Sequence, residues 1–302
     1  MKGIVVENLT KTYDGTYKAI ENINFTVEQG AIVGFLGPNG SGKTTTIRIL
    51  NGILEPTAGG AKILGKDIVK DAYEIRKISG VMTETAACYE NLSGKENLLF
   101  FGKLHDLPHF DLKTRAEDML KKLGLYEHKD KKVKEYSTGM KKRISLAIAL
   151  INNPKIVFLD EPTSGLDPET AQNVTELIKN MVYESGTTVF MCTHQLRYAE
   201  DICDTYGFIN KGKVLGFGKF KELAEEKGIK DNLIIRGYDI PNNLGFLEKS
   251  SGIYKKEISS EEEIPQILTN VINKGGKIYE VKNSICSLEE LYFAYTRGDK
   301  IE

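Results

Sequence analysis

The sequence of 302 residues has no excess of either charge and no clustered cysteines. Lysine and arginine total 41 against 42 aspartate and glutamate residues, which gives a net charge of -1 with the histidines neutral. This balance disfavours a nucleic-acid binder that works through bulk positive charge, so no specific nucleic-acid partner is expected, although a local basic patch is not excluded. The cysteines are scattered and form no C-x-x-C pair: Cys88, Cys192, Cys203 and Cys286. A reducing cytoplasm is the simple interpretation.

Long apolar runs are also missing, and none approaches the roughly 20 residues that cross a bilayer as a helix. The start, Met1-Lys2-Gly3-Ile4, lacks the apolar core of a signal peptide. We therefore expect a cytoplasmic protein that reaches a membrane only through a partner. The content of 40% hydrophobic and 27% charged residues is that of an ordinary globular chain.

Short β-rich runs alternate with helical runs along the middle of the chain, which predicts an α/β fold with a parallel sheet. The predicted strands, each followed by a helix, are 31–36 with 43–51, 155–159 with 168–182, and 187–192 with 196–203. Two earlier runs, 3–6 and 20–27, predict an antiparallel layer at one edge. Between residues 84 and 152 the strand signal vanishes, and apolar residues at helical spacing predict a helix over 140–152. We therefore predict a helical insertion in the α/β core.

The residue pattern changes after Gly216, where a predicted helix rich in lysine and glutamate is followed by further strands and an amphipathic helix over 264–272. The length alone suggests about two domains. We predict a core domain over residues 1–218, with the helical insertion at about 84–152, and a small α+β accessory domain over residues 219–302.

A glycine-rich segment between the strand 31–36 and the helix 43–51 fits the pattern G-x-x-x-x-G-K-[ST], in the context that the motif requires. Its glycines let backbone N–H groups converge on phosphate oxygens at a helix N-terminus. Lys43 would reach the β- and γ-phosphates, and the Thr44 hydroxyl would ligate Mg²⁺. The predicted phosphate-binding residues are Gly37, Pro38, Asn39, Gly40, Ser41, Gly42, Lys43, Thr44 and Thr45.

Two acids follow the buried strand 155–159, at the end of a parallel strand where ligands bind. Asp160 can hold Mg²⁺, and Glu161 can polarise the attacking water. An Asp-Glu pair alone would more often be a solvated turn. Together with the phosphate loop about 120 residues earlier, it indicates a Mg-dependent nucleoside triphosphatase.

Further motifs make residues 3–216 resemble an ATP-binding cassette (ABC) ATPase. The segment Tyr136-Ser137-Thr138-Gly139-Met140 stands where that family carries its LSGGQ signature, with Thr138 and Met140 in place of the usual glycine and glutamine. The resemblance implies that Ser137 and Gly139 cap the γ-phosphate of ATP held by the other subunit. A plain helix N-cap by Ser137 or Thr138 is the alternative.

One further segment and two single residues acquire roles from the resemblance. The segment Ser164 to Asp167 resembles the loop that crosses the dimer interface; otherwise Asp167 is only an N-cap before Pro168. His194 resembles the switch histidine that contacts the γ-phosphate and orders the attacking water. Tyr13 matches the aromatic residue that stacks on adenine, and Tyr17 competes for that role.

The chain departs from the family at Glu84, where glutamine is usual at the hinge into the helical insertion. A carboxylate can still ligate Mg²⁺ or water, so activity is expected to be retained. The resemblance implies a groove over residues 85–105 for a membrane partner, with Tyr89 and Leu92 as surface candidates. Leu98, Phe101 and Leu104 are expected to pack the insertion instead.

The lysine cluster of residues 129–134 and the run Lys141-Lys142-Arg143 are interpreted as solvated faces. The segment Ser287 to Phe293 is similar to the closing helix of bacterial exporter ATPases of the ABC-2 class. The resemblance therefore implies an ATP-hydrolysing subunit, paired as a homodimer, that powers a separate integral-membrane permease at the inner face of the membrane. The alternatives are a soluble ABC ATPase with a non-membrane partner and a nucleotide-gated binding module with little turnover.

Overall fold

The computed structural model describes residues 1–85, 87–258, 260–284 and 286–297. The chain divides into two compact units, Met1–Lys219 and Phe220–Glu302. Within the described ranges, no helix combines the length and the apolar character that a membrane span needs.

The first unit contains ten strands and seven α-helices among its described residues. In chain order they are β1 Lys2–Tyr13, β2 Tyr17–Glu28, β3 Ile32–Leu36, α1 Lys43–Leu50, β4 Ala58–Ile63, β5 Lys66–Asp67, α2 Ala72–Ile78, β6 Ser79–Met82, α3 Gly94–Leu104, α4 His109–Lys122, α5 Thr138–Leu150, β7 Ile156–Asp160, α6 Pro168–Ser185, β8 Thr188–Thr193, α7 Leu196–Ile202, β9 Thr205–Asn210 and β10 Lys213–Gly218.

Two sheets form the layers of this unit. The larger has the strand order β10-β9-β3-β8-β7-β6, in which all pairs are parallel except β10 with β9. Every residue of β3, β7 and β8 is buried, as expected of parallel strands covered on both faces. The smaller sheet is antiparallel, with the order β2-β1-β4-β5. Phe25 of β2 joins the layers because its ring lies 5.7 Å from that of Phe35 and 5.8 Å from that of Phe190.

Local capping explains where the helices of the insertion begin. Ser93 and Glu96 form a reciprocal capping box at the start of α3. The Ser137 hydroxyl accepts from the Met140 N–H and caps α5, so the predicted N-cap is confirmed. The predicted α/β core with an antiparallel edge layer and inserted helices is confirmed.

The second unit is a four-stranded antiparallel sheet with three α-helices among its described residues. Its elements are α8 Phe220–Glu226, β11 Asp231–Tyr238, β12 Leu247–Ser250, β13 Ile253–Ile258, α9 Ile264–Asn273, β14 Lys277–Ser284 and α10 Leu288–Arg297. The strand order is β12-β13-β11-β14. Leu233 and Ile235 of β11 pack with Val271 of α9 in its core, which gives the predicted α+β character.

Candidate functional site

The phosphate loop lies between the end of β3 and the start of α1, and its glycines are required by geometry. Gly40 and Gly42 have φ of 77° and 110°, in the region that side chains disfavour. A Cβ at Gly37 would lie 2.2 Å from the Ile209 carbonyl oxygen. Lys43 Nζ donates to the Gly37 and Pro38 carbonyls at 2.7 and 3.1 Å. A side chain is therefore excluded by close contact at Gly37 and by both contact and conformation at Gly42, whereas at Gly40 only the left-handed conformation disfavours it.

The Ser41 hydroxyl is the unexplained polar group of this loop. Ser41 is buried, and its Oγ has no hydrogen-bond partner among the described residues. Buried polar atoms are rarely left unpaired, and such exceptions often mark places where a ligand supplies the missing partner. Phosphate oxygens are suitable acceptors, which fits the predicted role of the loop.

Asp160 ends β7 and reaches the first turn of α1. Thr44 Oγ1 donates to Asp160 Oδ2 at 2.7 Å. Burial raises the pKa of Asp160, since only 3% of the residue is exposed, while the Thr44 hydrogen bond opposes that rise. A buried carboxylate with one hydroxyl partner is a poorly compensated charge, and a divalent cation would favour its ionised form.

Glu161 lies beside Asp160 in sequence but contacts the end of β8. His194 Nδ1 donates to Glu161 Oε1 at 2.7 Å, and the His194 backbone N–H donates to the same oxygen at 3.0 Å. Thr193 Oγ1 donates to Glu161 Oε2 at 3.0 Å. The structure thus brings two predicted catalytic residues together and adds Thr193, which the sequence reasoning missed. Its only signal was the position directly before His194.

A cavity of about 340 Å³ is lined by residues of the phosphate loop and by both acids. Its lining residues are Tyr13, Tyr17, Ala19, Asn39, Gly40, Gly42, Lys43, Thr44, Thr45, Glu84, Asp160 and Glu161. The volume is within the range of small-molecule sites. Tyr13 and Tyr17 face each other across the β1–β2 turn as register partners, so the two candidates for stacking on a base both remain.

The oxygen ligands that Mg²⁺ prefers are present at this cavity. They are the Thr44 hydroxyl and the carboxylates of Asp160 and Glu84. Among the described residues, no group of three or more His, Cys, Asp or Glu side chains is placed to hold a metal ion. Mg²⁺ is usually bound by one or two carboxylates together with substrate phosphates.

Six predicted site residues do not line this cavity: Gly37, Pro38, Ser41, Ser137, Gly139 and His194. Ser137 is exposed at the start of α5, while Gly139 lies against Leu166, whose Cδ2 would be 3.4 Å from a Cβ at position 139. Asp167 caps α6 by accepting from the Thr170 N–H at 2.9 Å, and Pro168 is the first helical residue, as predicted.

Two expectations about the helical insertion are wrong. Lys142 is not on a solvated face: it is 8% exposed, and its Nζ donates to the Ser164 carbonyl at 2.6 Å. Leu104 does not pack the insertion, because it is the last residue of α3 and is 65% exposed. Tyr89, the surface candidate, is 52% exposed and contacts the Phe100 ring edge-on at 4.9 Å.

Comparisons with known proteins agree with this geometry. The ABC transporter family model matches residues 20–164. A daunorubicin resistance ATP-binding protein of Streptomyces coeruleorubidus is 39% identical over 225 residues, covering 74% of this chain and 71% of that protein. An uncharacterized ABC transporter ATP-binding protein of Bacillus subtilis is 32% identical over 307 residues, covering 98% of this chain and 97% of that protein.

A solved structure shows the same fold in a hydrolytic context. It is the dimeric structure of a post-hydrolysis state of an ATP-binding cassette bound to ADP and Pi. It is 28% identical with a TM-score of 0.67, covering 72% of this chain and 98% of that chain. The chain therefore belongs to the ATP-binding subunits of ABC transporters and is an ATPase.

Proposed function

We propose that the chain is the Mg²⁺-dependent ATPase subunit of an exporter, and that two identical copies close around ATP to drive a separate membrane permease. The observation that carries the proposal is a pair of contacts, Thr44 with Asp160 and Glu161 with His194. Thr44, Asp160 and Glu161 line one cavity, and His194 contacts Glu161 without lining it. The first contact joins the phosphate loop to a metal-binding acid. The second joins a general base to the residue that orients it.

Each residue at the cavity has a separate task in the proposed reaction. The loop 37–45 binds the phosphates through backbone N–H groups, and the Lys43 ammonium binds the β- and γ-phosphate oxygens. Glu161 accepts the proton of the attacking water, and His194 holds the Glu161 carboxylate in place through Nδ1. Tyr13, with Tyr17 as the alternative, stacks on the adenine ring.

Mg²⁺, held by Thr44, Asp160 and Glu84, would neutralise charge that develops on the phosphates. The described residues fit that ion because their oxygens converge on the same cavity. Glu84 adds a second carboxylate where the family usually has an amide. Its position on the cavity wall supports a direct role toward the metal or its water.

The second copy of the chain supplies the groups that this cavity lacks. Ser137 is exposed and lies outside the cavity of its own chain, although it opens α5 with the donors that a γ-phosphate needs. A paired arrangement in which Ser137 and Gly139 of each copy face the ATP of the other explains this separation. ATP then acts as a link between the copies, and hydrolysis removes the link.

The membrane partner docks on the segment 85–105, where Tyr89 and Leu104 expose large apolar side chains. Leu92 is half-buried beside them. The chain would thus work at the inner face of the membrane through its permease. The direction of transport is proposed from the relative named for daunorubicin resistance, since resistance by an ATP-driven pump requires removal of the drug.

The experiment compares Mg-ATPase activity of the wild type with Glu161→Gln and with Glu169→Gln, an exposed carboxylate on α6 as the matched control. Loss of a general base costs about 10²–10⁴-fold in rate, so Glu161→Gln should lose that much and the control nothing. Equal and negligible rates for all three would instead support a nucleotide-gated binding module.

The partner is tested with the same variant. Tagged Glu161→Gln with Mg-ATP should retain the closed pair and its partner from detergent-solubilised membranes. Recovery of a polytopic membrane protein supports the permease; recovery of ribosomal or other soluble proteins alone contradicts it and favours a soluble ABC ATPase.

A further inference from the structure

Lys142 is a buried lysine that none of the roles above uses. It lies in the second turn of α5, and its Nζ donates to the Ser164 carbonyl at 2.6 Å. A buried ammonium is costly unless its charge is balanced nearby. The position therefore needs compensation that its neighbours on α5, Lys141 and Arg143, cannot provide.

The compensating charges belong to the catalytic cavity. Burial lowers the pKa of Lys142, and the carboxylates of Glu161, Glu84 and Asp160 act against that shift. All three acids line the cavity described above. Lys142 is thus a cation whose charge is balanced by these acids although it does not line the cavity itself.

A second contact joins the same two segments. Gly139 precedes Lys142 by three residues and so lies on the same face of α5. A Cβ at Gly139 would be 3.4 Å from Leu166 Cδ2, whereas Lys142 binds Ser164. The start of α5 therefore packs at two points against the loop 164–167.

That loop is tied in turn to the catalytic acid. The Ser164 N–H donates to the Glu161 carbonyl at 3.3 Å, so Ser164 is held by Lys142 through its carbonyl and by the Glu161 backbone through its N–H. A displacement of α5 relative to the loop would strain this chain of contacts. Packed interfaces of this kind switch between arrangements rather than deform gradually.

We propose that Lys142 is a positioning residue that couples the two ATP sites of the dimer. The inference rests on the proposed dimer, in which the start of α5 serves the ATP of the other copy and Glu161 serves the ATP of its own. By fixing the loop 164–167 to α5, Lys142 makes Glu161 respond to whether the second site is engaged. Lys142 contacts neither ATP.

The test is steady-state Mg-ATPase of the full chain against ATP concentration, for wild type, Lys142→Met, Lys142→Arg and Lys113→Met. Lys113 is an exposed lysine of α4 and serves as the matched control. Methionine keeps much of the volume but removes the donor and the charge. Lys142→Met should lower kcat by at least about tenfold, and should reduce the Hill coefficient from its wild-type value to one.

Two further readouts separate coupling from a general structural effect. Binding of a fluorescent ATP analogue to the dilute, monomeric chain should be unchanged in Lys142→Met, because the residue contacts no nucleotide. Lys142→Arg, which keeps a cationic donor, should recover most of the Hill coefficient. Lys113→Met should match the wild type throughout.

Each remaining result overturns an identified claim. The coupling role would be overturned if Lys142→Met kept the wild-type kcat and Hill coefficient. It would also be overturned if the Met and Arg variants lost kcat and Hill coefficient equally and had equally lowered melting temperatures. A wild type that hydrolyses ATP with a Hill coefficient of one overturns the coupling and leaves the ATPase intact. A Glu161→Gln chain that stays monomeric with Mg-ATP overturns the proposed dimer itself.

Discussion

Thr193 offers a sharp test of how Glu161 is held. Its hydroxyl donates to Glu161 Oε2 at 3.0 Å and also accepts from the Gln195 N–H at 3.0 Å. Thr193 is fully buried and Glu161 nearly so. Thr193→Val replaces the hydroxyl by a methyl group of similar size, so the change removes two hydrogen bonds while the packing stays nearly the same.

The expected magnitude follows from these contacts. A hydrogen bond to a charged group contributes about 1.5–3 kcal/mol to stability. Among the described residues, Oε2 of Glu161 has no other hydrogen-bond donor, since both contacts from His194 go to Oε1. The lost bond from the Gln195 N–H adds about 0.5–1.5 kcal/mol, so the free energy of unfolding should fall by about 2–4.5 kcal/mol in total. For a unit of this size, that corresponds to a decrease in Tm of about 4–18 °C.

The assay is thermal unfolding of nucleotide-free protein in EDTA, with Thr193→Ser as the control that keeps the hydroxyl. Serine should recover most of the loss. A double-mutant cycle with Glu161→Gln isolates the contact, and a coupling energy above about 0.5 kcal/mol is expected for residues in direct contact. Additive effects in that cycle, or a Thr193→Val chain that melts with the wild type, would refute this account of how Glu161 is positioned.

Two further predictions concern the loop and the metal-binding acid. Burial raises the pKa of Asp160, so its carboxyl group binds a proton more tightly in the native state than in the unfolded state. The ionised carboxylate therefore destabilises the fold at neutral pH. This destabilisation disappears as the pH falls through the raised pKa. Asp160→Asn keeps an acceptor for Thr44 and should melt above the wild type at pH 7 in EDTA, with a gap that narrows on acidification and with ATPase activity lost; a lower Tm at pH 7 would contradict this. Gly40→Ala should lower the free energy of unfolding by only about 1–2 kcal/mol, because its backbone is left-handed but its Cβ meets no atom within 4 Å. Gly37→Ala should lower it further and abolish nucleotide binding, because its Cβ would lie 2.2 Å from a carbonyl oxygen. Calorimetry and fluorescent-nucleotide titration of both variants check this, and equal losses would contradict it.

The parts of the site that are encoded locally could be predicted from sequence. The phosphate loop can be recognised because the strand before it and the helix after it adjoin it directly in the sequence. The caps at Ser137 and Asp167 depend on residues only three positions away. The acids Asp160 and Glu161 at the end of β7 follow from the position of a buried strand in a parallel sheet. None of these needs a distant partner to be recognised.

The rest depends on contacts that no local pattern encodes. The strand β4 is rich in glycine and alanine and exists because it pairs with β1, with Ile4 opposite Ile63. Lys142 stands between two other basic residues, so its sequence context favours solvent, and only the approach of the loop 164–167 buries it. Leu104 shows the reverse, because an apolar residue at the end of α3 remains 65% exposed.

The backbone conformation at Asp160 and Glu161 directs these two neighbouring acids to different partners. Asp160 completes β7 in extended conformation and reaches Thr44 on α1, whereas Glu161 has a φ of 53° and turns toward His194 after β8. A glutamate in the left-handed region carries strain of about 1–3 kcal/mol, which persists where surrounding contacts impose it. Here the contacts are the Glu161 N–H to the Cys192 carbonyl and three donors on its carboxylate. With relaxed backbone at position 161 the two carboxylates would diverge across the strand, and the metal-binding and base functions could not share one cavity.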